Sequence, residues 1–229
     1  MSEPLVTVIV ASLNGERFLR ETLESLFAQD FDSFECVFVD DGSTDSTAEI
    51  ARSFPVRYVY QENAGLPAAR NAGLEVARGS LIAFLDDDDL LPPSKLRVQA
   101  GYLLEHAEVG CVLGRQEWIV EEGVDTSGLQ RDSVYGELGG IPMASLMIRR
   151  RMLEAVGGFD PSYAYAEDRD LFVRLRENGV EVVVLPDLVL HRRLHGTNMT
   201  LAPPESHPLL RSLKAKLDRE RAEKGAGEA

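Results

Sequence analysis

An almost unbroken apolar run followed by a segment of helical spacing limits what this chain can fold into, and it recurs through the first hundred residues. "LVTVIVA" (5 to 11) precedes "RFLRETLESLFAQ" (17 to 29), in which Leu19, Leu23 and Leu26 return at helical intervals. "FECVFVD" precedes "STAEIARSF", "VRYVY" precedes "LPAARNAGLEVA", and "SLIAFLD" precedes "PSKLRVQAGYLLEH". A strand that is apolar along both faces has to be covered on both, so alternation with helices predicts a parallel sheet wound on each side. The predicted fold class is α/β, an open, mainly parallel central sheet flanked by helices. A chain of 229 residues can bury a core large enough for one domain.

From about residue 110 the alternation loosens. "EWIVEEGVDTSGLQRDSVYGELGG" is rich in Gly and charge, which predicts short strands and loops. Helices resume at "RRMLEAV" and "AEDRDLFVRLRENG", and "VEVVVLPDLVLHRRLHG" follows them. The last residues, "LLRSLKAKLDRERAEKGAGEA", begin as an amphipathic helix and end in small charged residues that fray.

A net charge of -14 disfavours nucleic acid or an anionic membrane as a partner held by bulk electrostatics. Cys36 and Cys111 both lie in apolar runs, which predicts buried thiols rather than a disulfide framework or a zinc site. The N-terminus has no basic n-region, and no apolar run reaches the roughly 20 residues needed to span a bilayer. The chain therefore reads as cytoplasmic, without a transmembrane segment.

Ligands of such sheets sit outside the carboxyl ends of the strands. Three strands end in polar residues, "ASLNGE", "DDGST" and "DDDD", and these ends are expected to meet in one crevice. Asp86, Asp87, Asp88 and Asp89 are like charges that repel and lose hydration together unless a cation sits among them. Strand alternation places Asp86 and Asp88 on one face, and a hard divalent cation takes one or two such carboxylates and fills its shell with water and phosphate oxygens. The alternative is a solvated acidic turn capping the helix that starts near Pro92.

"FVDDGSTDST" reads as a turn with a Ser46–Glu49 capping box, or as a pocket for a base or ribose. In "ENAGLPAARNAG", Arg70 is a surface charge or a phosphate ligand on a helix begun by Pro67. "YAEDRDLFVRL" carries Glu167, Asp168 and Asp170 in a first helical turn, where the macrodipole alone favours acids; the competing reading is a general base facing the crevice. "LHRRLHGTNMT" is a His–Arg cluster suited to diphosphate or metal.

Taken in order, "VTVIVASLN", "FVDDGSTDST", "NAGLPAARNAG", "GSLIAFLDDDDLLPPSKL", "SLMIRR", "GGFDPSYAYAEDRDLFVRL" and "HRRLHGTNMT" resemble the motifs of the family 2 glycosyltransferases over roughly residues 5 to 200. The resemblance implies a GT-A fold over 1–205, with about 1–100 a nucleotide-sugar-binding half and about 101–205 a smaller mixed acceptor-side half; 206–229 is a C-terminal helix and tail. It implies that the aspartates are a DxD motif, with Asp88 and His195 at a Mn²⁺ or Mg²⁺ ion. Ala11, Asn14 and Asp41 match residues lining the base and ribose, and Ser12, Glu16, Arg70, Asp86, Asp87 and His195 are the further substrate contacts. Asp168 matches the catalytic base and Glu167 precedes it. Two positions depart from the family pattern: Leu13 stands where an aromatic residue often stacks on the base, and Arg169 where tryptophan is common.

The implied reaction is inverting transfer of a sugar from a nucleotide-diphosphate sugar, UDP-sugar favoured, to a saccharide, lipid-linked or other hydroxyl acceptor. The rival readings are a nucleotidyltransferase, for which the chain lacks a Gly-rich basic loop, and a non-catalytic nucleotide-sugar-binding protein.

Overall fold

The structure is a computed structural model that describes residues 3–126, 142–163 and 167–198. Its elements follow the expected alternation: β1 (Val6–Ser12), α1 (Leu19–Phe27), β2 (Phe34–Asp40), α2 (Thr47–Arg52), β3 (Arg57–Tyr60), α3 (Leu66–Val76), β4 (Leu81–Asp86) and α4 (Lys95–Glu105). Then come β5 (Cys111–Val120), a 3₁₀ turn (Met143–Ser145), β6 (Met147–Arg149), α5 (Arg150–Ala155), α6 (Glu167–Glu177) and β7 (Val182–Leu194). The seven strands form one sheet in the order β3-β2-β1-β4-β6-β5-β7. β1 pairs in parallel with both β2 and β4, and β6 runs antiparallel to β4 and β5.

Every residue of β1 is buried, as a strand covered on both faces requires. Val6, Val8 and Val10 pack with Leu19, Leu23 and Leu26 of α1 and Leu96 and Leu103 of α4. Ile9 faces the other layer, which holds Leu74 of α3, Leu153 of α5 and Leu171 and Leu175 of α6. Each fully buried leucine contributes about 1.5–3 kcal/mol relative to exposure. At Gly73 a Cβ would lie 2.5 Å from Ile9 Cγ2, so the glycine lets α3 sit directly on the sheet.

The strand expected in the stretch that opens with "EWIV" is the end of β5, which runs ten residues and pairs in parallel with β7, with register shifts around Arg115. Two expectations are corrected. The Ser46–Glu49 capping box does not form, and Ser46 makes no side-chain cap bond. Instead Asp45 Oδ1 accepts from Thr47 N and Glu16 Oε2 accepts from Ser46 N, both at 2.9 Å. Asp88 is not on a strand, because β4 ends at Asp86 and the chain turns with Asp89 N donating to Asp86 O at 3.2 Å.

Cys36 and Cys111 are buried and unbridged, and burial pushes both thiols up, Cys111 to about 12. The predicted helix and tail at 206–229 lie outside the described residues. Among the described residues no helix is long and apolar enough to cross a membrane.

Candidate active site

The carboxyl ends of β1, β2 and β4 open into one cavity of ≈ 660 Å³, closed on its far side by Met143, the start of α6 and the residues after β7. Ala11, Ser12, Asn14, Asp41, Arg70, Asp86, Asp87, Asp88, Glu167, Asp168 and His195 all line it, and Leu13 joins them half-exposed. Glu16 does not: its carboxylate turns to the loop after β2, where it accepts from Ser46 N. Arg169, marked in the sequence for the acceptor side, is likewise outside the lining.

The loops after β1 and β2 are knitted together. Asn14 adopts a left-handed φ of 57°, which asparagine tolerates, and its Oδ1 accepts from Thr44 N at 2.9 Å. The neighbouring acids Asp40 and Asp41 divide their work. Asp40 accepts from Ser43 N at 2.8 Å and from the Tyr58 hydroxyl, and serves the fold. Asp41 lines the cavity; its Oδ1 accepts from Gln61 Nε2 and Ala64 N, and its Oδ2 from Gly65 N at 2.9 Å.

The four aspartates point to four different partners. Asp86 Oδ1 accepts from Arg70 at 2.9 Å, Asp87 Oδ2 from the Ser12 hydroxyl, and Asp89 Oδ1 from Arg193 N at 2.8 Å. A Cβ at Gly15 would meet both Asp87 Oδ2 and Ser12 Oγ, so only glycine permits that approach. Asp88 Oδ2 faces His195 Nε2 at 2.9 Å and Asn198 Nδ2 at 3.0 Å. An ionised carboxylate only accepts, so Nε2 donates to it, and the Thr197 hydroxyl donates to Nδ1 at 2.8 Å. Phe18 packs against the imidazole, with ring centroids 4.8 Å apart.

Burial pushes Asp87 up to about 7, with Asp86 and Asp88 adding to the shift. Burial, then the charge of Asp86, also raises Asp88, and Asp89 lies well above the usual carboxylate range for the same reasons. This excess of negative charge is what a cation relieves. Among the described residues no group of three or more His, Cys, Asp or Glu is arranged to hold a metal. Asp88 Oδ2 and the adjacent His195 Nε2 are the pair that could hold a cation, which would displace the Nε2 proton and complete its shell from water and phosphate.

Arg70 is not the surface charge that is one reading of its sequence context, and it lines the cavity. It is 4% exposed and bridges Glu167 Oε1 at 2.8 Å and Asp86 Oδ1 at 2.9 Å, its guanidinium lying over the Phe159 ring at 5.5 Å. The bridge distinguishes the two acids at the start of α6. Both line the cavity, but Glu167 is committed to Arg70, whereas Asp168 accepts from Arg169 N at 2.7 Å. Burial raises both carboxyls, opposed in each by the nearby Arg70 charge.

Sequence reasoning missed Phe18, Asn198 and Arg193. The Arg193 side chain donates to Asp88 O at 3.0 Å and to Glu21 at 2.6 Å, and stands 4.5 Å over the Phe18 ring. Only its place in the "HRRLHGTNMT" cluster hinted at such a position.

The architecture is that of the GT-A fold, shared with solved glycosyltransferases. TarS of S. aureus, residues 1–349 in complex with UDP-GlcNAc, superposes with a TM-score of 0.72 at 26% identity, over 86% of this chain and 61% of that one. The glycosyl transferase family 2 model matches residues 7–159, and the chain belongs to that family. An uncharacterized glycosyltransferase of Rickettsia prowazekii (strain Madrid E) is 30% identical over 186 residues, 75% of this chain and 58% of its own length. Glycosyltransferase GlyA of Streptococcus pneumoniae serotype 4 is 45% identical over 135 residues, 57% of this chain and 19% of its own length. The chain thus spans less than two thirds of each of these relatives.

Proposed function

We propose that the protein is an inverting glycosyltransferase that moves a sugar from a nucleotide-diphosphate sugar, UDP-sugar favoured, to an acceptor hydroxyl. The observation that carries the reading is the division of labour at the start of α6: of the two acids bordering the cavity that also holds Asp86–Asp88, Glu167 is bound to the Arg70 guanidinium while the adjacent Asp168 takes its hydrogen bond from Arg169 N. The acceptor oxygen attacks the anomeric carbon as its proton passes to Asp168, and the bond to the diphosphate breaks with its electron pair leaving on the phosphate oxygen. A carboxyl raised by burial is a better proton acceptor than a solvated one.

Asp88 and His195 would hold a divalent cation, Mn²⁺ or Mg²⁺, which supplies positive charge beside the diphosphate. Ala11, Leu13, Asn14 and Asp41 border the part of the cavity suited to the base and ribose, Asp41 as an acceptor-only reader of an N–H or hydroxyl. In this reading residues 1–100 hold the donor, residues 101–205 meet a saccharide, lipid-linked or other hydroxyl acceptor, and the protein works in the cytoplasm, where free thiols persist. The relatives named above are glycosyltransferases, which leaves the nucleotidyltransferase alternative without support.

The test is calorimetry with UDP and GDP, with and without EDTA, beside an assay for nucleoside diphosphate release from the corresponding sugars. Binding and release are expected to need the cation and to lose that dependence in Asp88→Ala. Equal affinity with and without EDTA overturns the metal assignment, and binding without release in the presence of acceptors leaves a non-catalytic nucleotide-sugar-binding protein.

A further inference from the structure

We infer that Asn71 is a positioning residue that clamps the acceptor-side segment beginning at Gly158 onto α3, and through it sets where α6 presents Asp168. The inference rests on the glycosyltransferase reading for its kinetic consequence, and on the contacts alone for its structural one.

Asn71 stands next to Arg70 on α3, but its side chain does different work. Its Nδ2 donates to Phe159 O at 2.7 Å and its Oδ1 accepts from Phe159 N at 2.9 Å. The carboxamide thus behaves as a short piece of neighbouring strand, satisfying both main-chain groups of a residue 88 positions away. Phe159 is 1% exposed, so either group left unpaired would be buried at full desolvation cost.

The preceding residue is shaped to the clamp. Gly158 has a φ of +70°, and a Cβ there would lie 2.7 Å from Asn71 Oδ1. Glycine is therefore required twice, once by backbone conformation and once by the approach of the amide.

Two further contacts pass the constraint to the site. The Phe159 ring meets Phe84 edge-on with centroids 5.3 Å apart, and the Arg70 guanidinium lies 5.5 Å from its centroid. That guanidinium holds Glu167, the residue before Asp168. Consecutive residues of one helix therefore grip the acceptor-side segment at Phe159 and at Glu167. The helix lies directly on the sheet, with Gly73 seated against Ile9. Asn71 touches no reacting atom in this scheme. It acts through Phe159 and Arg70 on the angle at which α6 starts, and displacements of about 1 Å at a reacting group cost on the order of 10²-fold in rate.

The test compares wild type with Asn71→Asp, which keeps the acceptor for Phe159 N and loses the donor to Phe159 O, and with Asn71→Leu, which loses both. Hydrogen exchange is followed in 157–163 and 167–171, with 6–12 and 34–40 as the internal reference. Exchange in the first two segments is expected to rise about tenfold or more in Asn71→Leu and less in Asn71→Asp, with the reference strands unchanged. In transfer assays kcat is expected to fall about tenfold in Asn71→Leu while the donor KM and nucleoside diphosphate affinity hold. Unchanged exchange in both segments, or a rise shared equally by the reference strands, overturns the clamp, as does a donor KM that rises with the loss of kcat. If wild type itself transfers no sugar, the glycosyltransferase reading fails while the exchange experiment still decides the clamp. Should Asn71→Leu fail to fold, the milder Asn71→Asp carries the same comparison.

Discussion

The two halves of the sheet build one cavity by different means. In β1–β4, all parallel, the site residues sit on strand ends and the loops that follow, and those loops hold each other over modest spans, as in the 30-residue separation between Asn14 and Thr44. In the half containing β6, β5 and β7, two of the residues that reach the cavity are held by partners from the first half: Glu167 by Arg70 across 97 positions and His195 by Asp88 across 107. The first half is a scaffold whose loops are self-supporting. The second is positioned by buried charge and is correspondingly sensitive to single polar substitutions.

The strongest way to test this contrast is Asp168→Asn. Turnover is expected to drop about 10²- to 10⁴-fold with donor binding nearly intact, since the amide cannot take the acceptor's proton. Glu167→Gln, measured in parallel, is expected to act on stability more than on chemistry because its carboxylate serves Arg70. A rate loss confined to Glu167→Gln would reverse the two roles, and a collapse of donor binding in Asp168→Asn would make that carboxylate a ligand instead of a base.

Next in size is the bridge itself. Arg70→Met leaves Glu167 buried without its cation, a change that costs about 3–5 kcal/mol. Chemical denaturation gives the number, and a loss below about 1 kcal/mol, the range of exposed pairs, would mean that the two halves are held by packing alone.

Lys95 tests the seam from the opposite layer. It is fully buried, with Nζ donating to Gln99 Oε1 at 2.6 Å, and Gln99 Nε2 passes the chain to Ser145 O at 2.8 Å, in the 3₁₀ turn of the second half. Burial lowers its pKa from 10.5 to about 7. Between those two values the unfolded chain binds a proton that the folded chain does not, so stability rises with pH across that window, and below about pH 7 the full cost is present. Lys95→Met is therefore expected to stabilise by about 2–4 kcal/mol at pH 6, with the gain shrinking as pH approaches 10.5. A gain that does not vary with pH would locate the effect in packing.

The smallest effect belongs to the self-supporting half. Leu13 is 44% exposed at the cavity edge, and Leu13→Tyr adds a stacking face without touching any buried contact. Nucleoside diphosphate binding is expected to tighten by about 0.5–1.5 kcal/mol with no change in melting temperature. Unchanged affinity by calorimetry would place the base elsewhere in the cavity.

Apolar periodicity is a local property, and for that reason the sequence alone determined the order of strands and helices through α4, the burial of both thiols and the meeting of three polar strand ends. It also marked Asp88, Asp168 and His195 as residues of one crevice, through motif order. What it misjudged depends on distant partners. Glu16 and Asp45 took over the cap assigned to Ser46 and Glu49 because the loop after β1 lies against the loop after β2. The length of β5 and its parallel pairing with β7, about 70 residues further along the chain, were not legible in the short strands that composition suggested. Arg70 could be read as a surface charge until the fold buried it against Glu167 and Asp86. Which carboxylate is free and which is held is a matter of Coulomb energy at about 3 Å in a desolvated interior, and only tertiary structure brings such charges together.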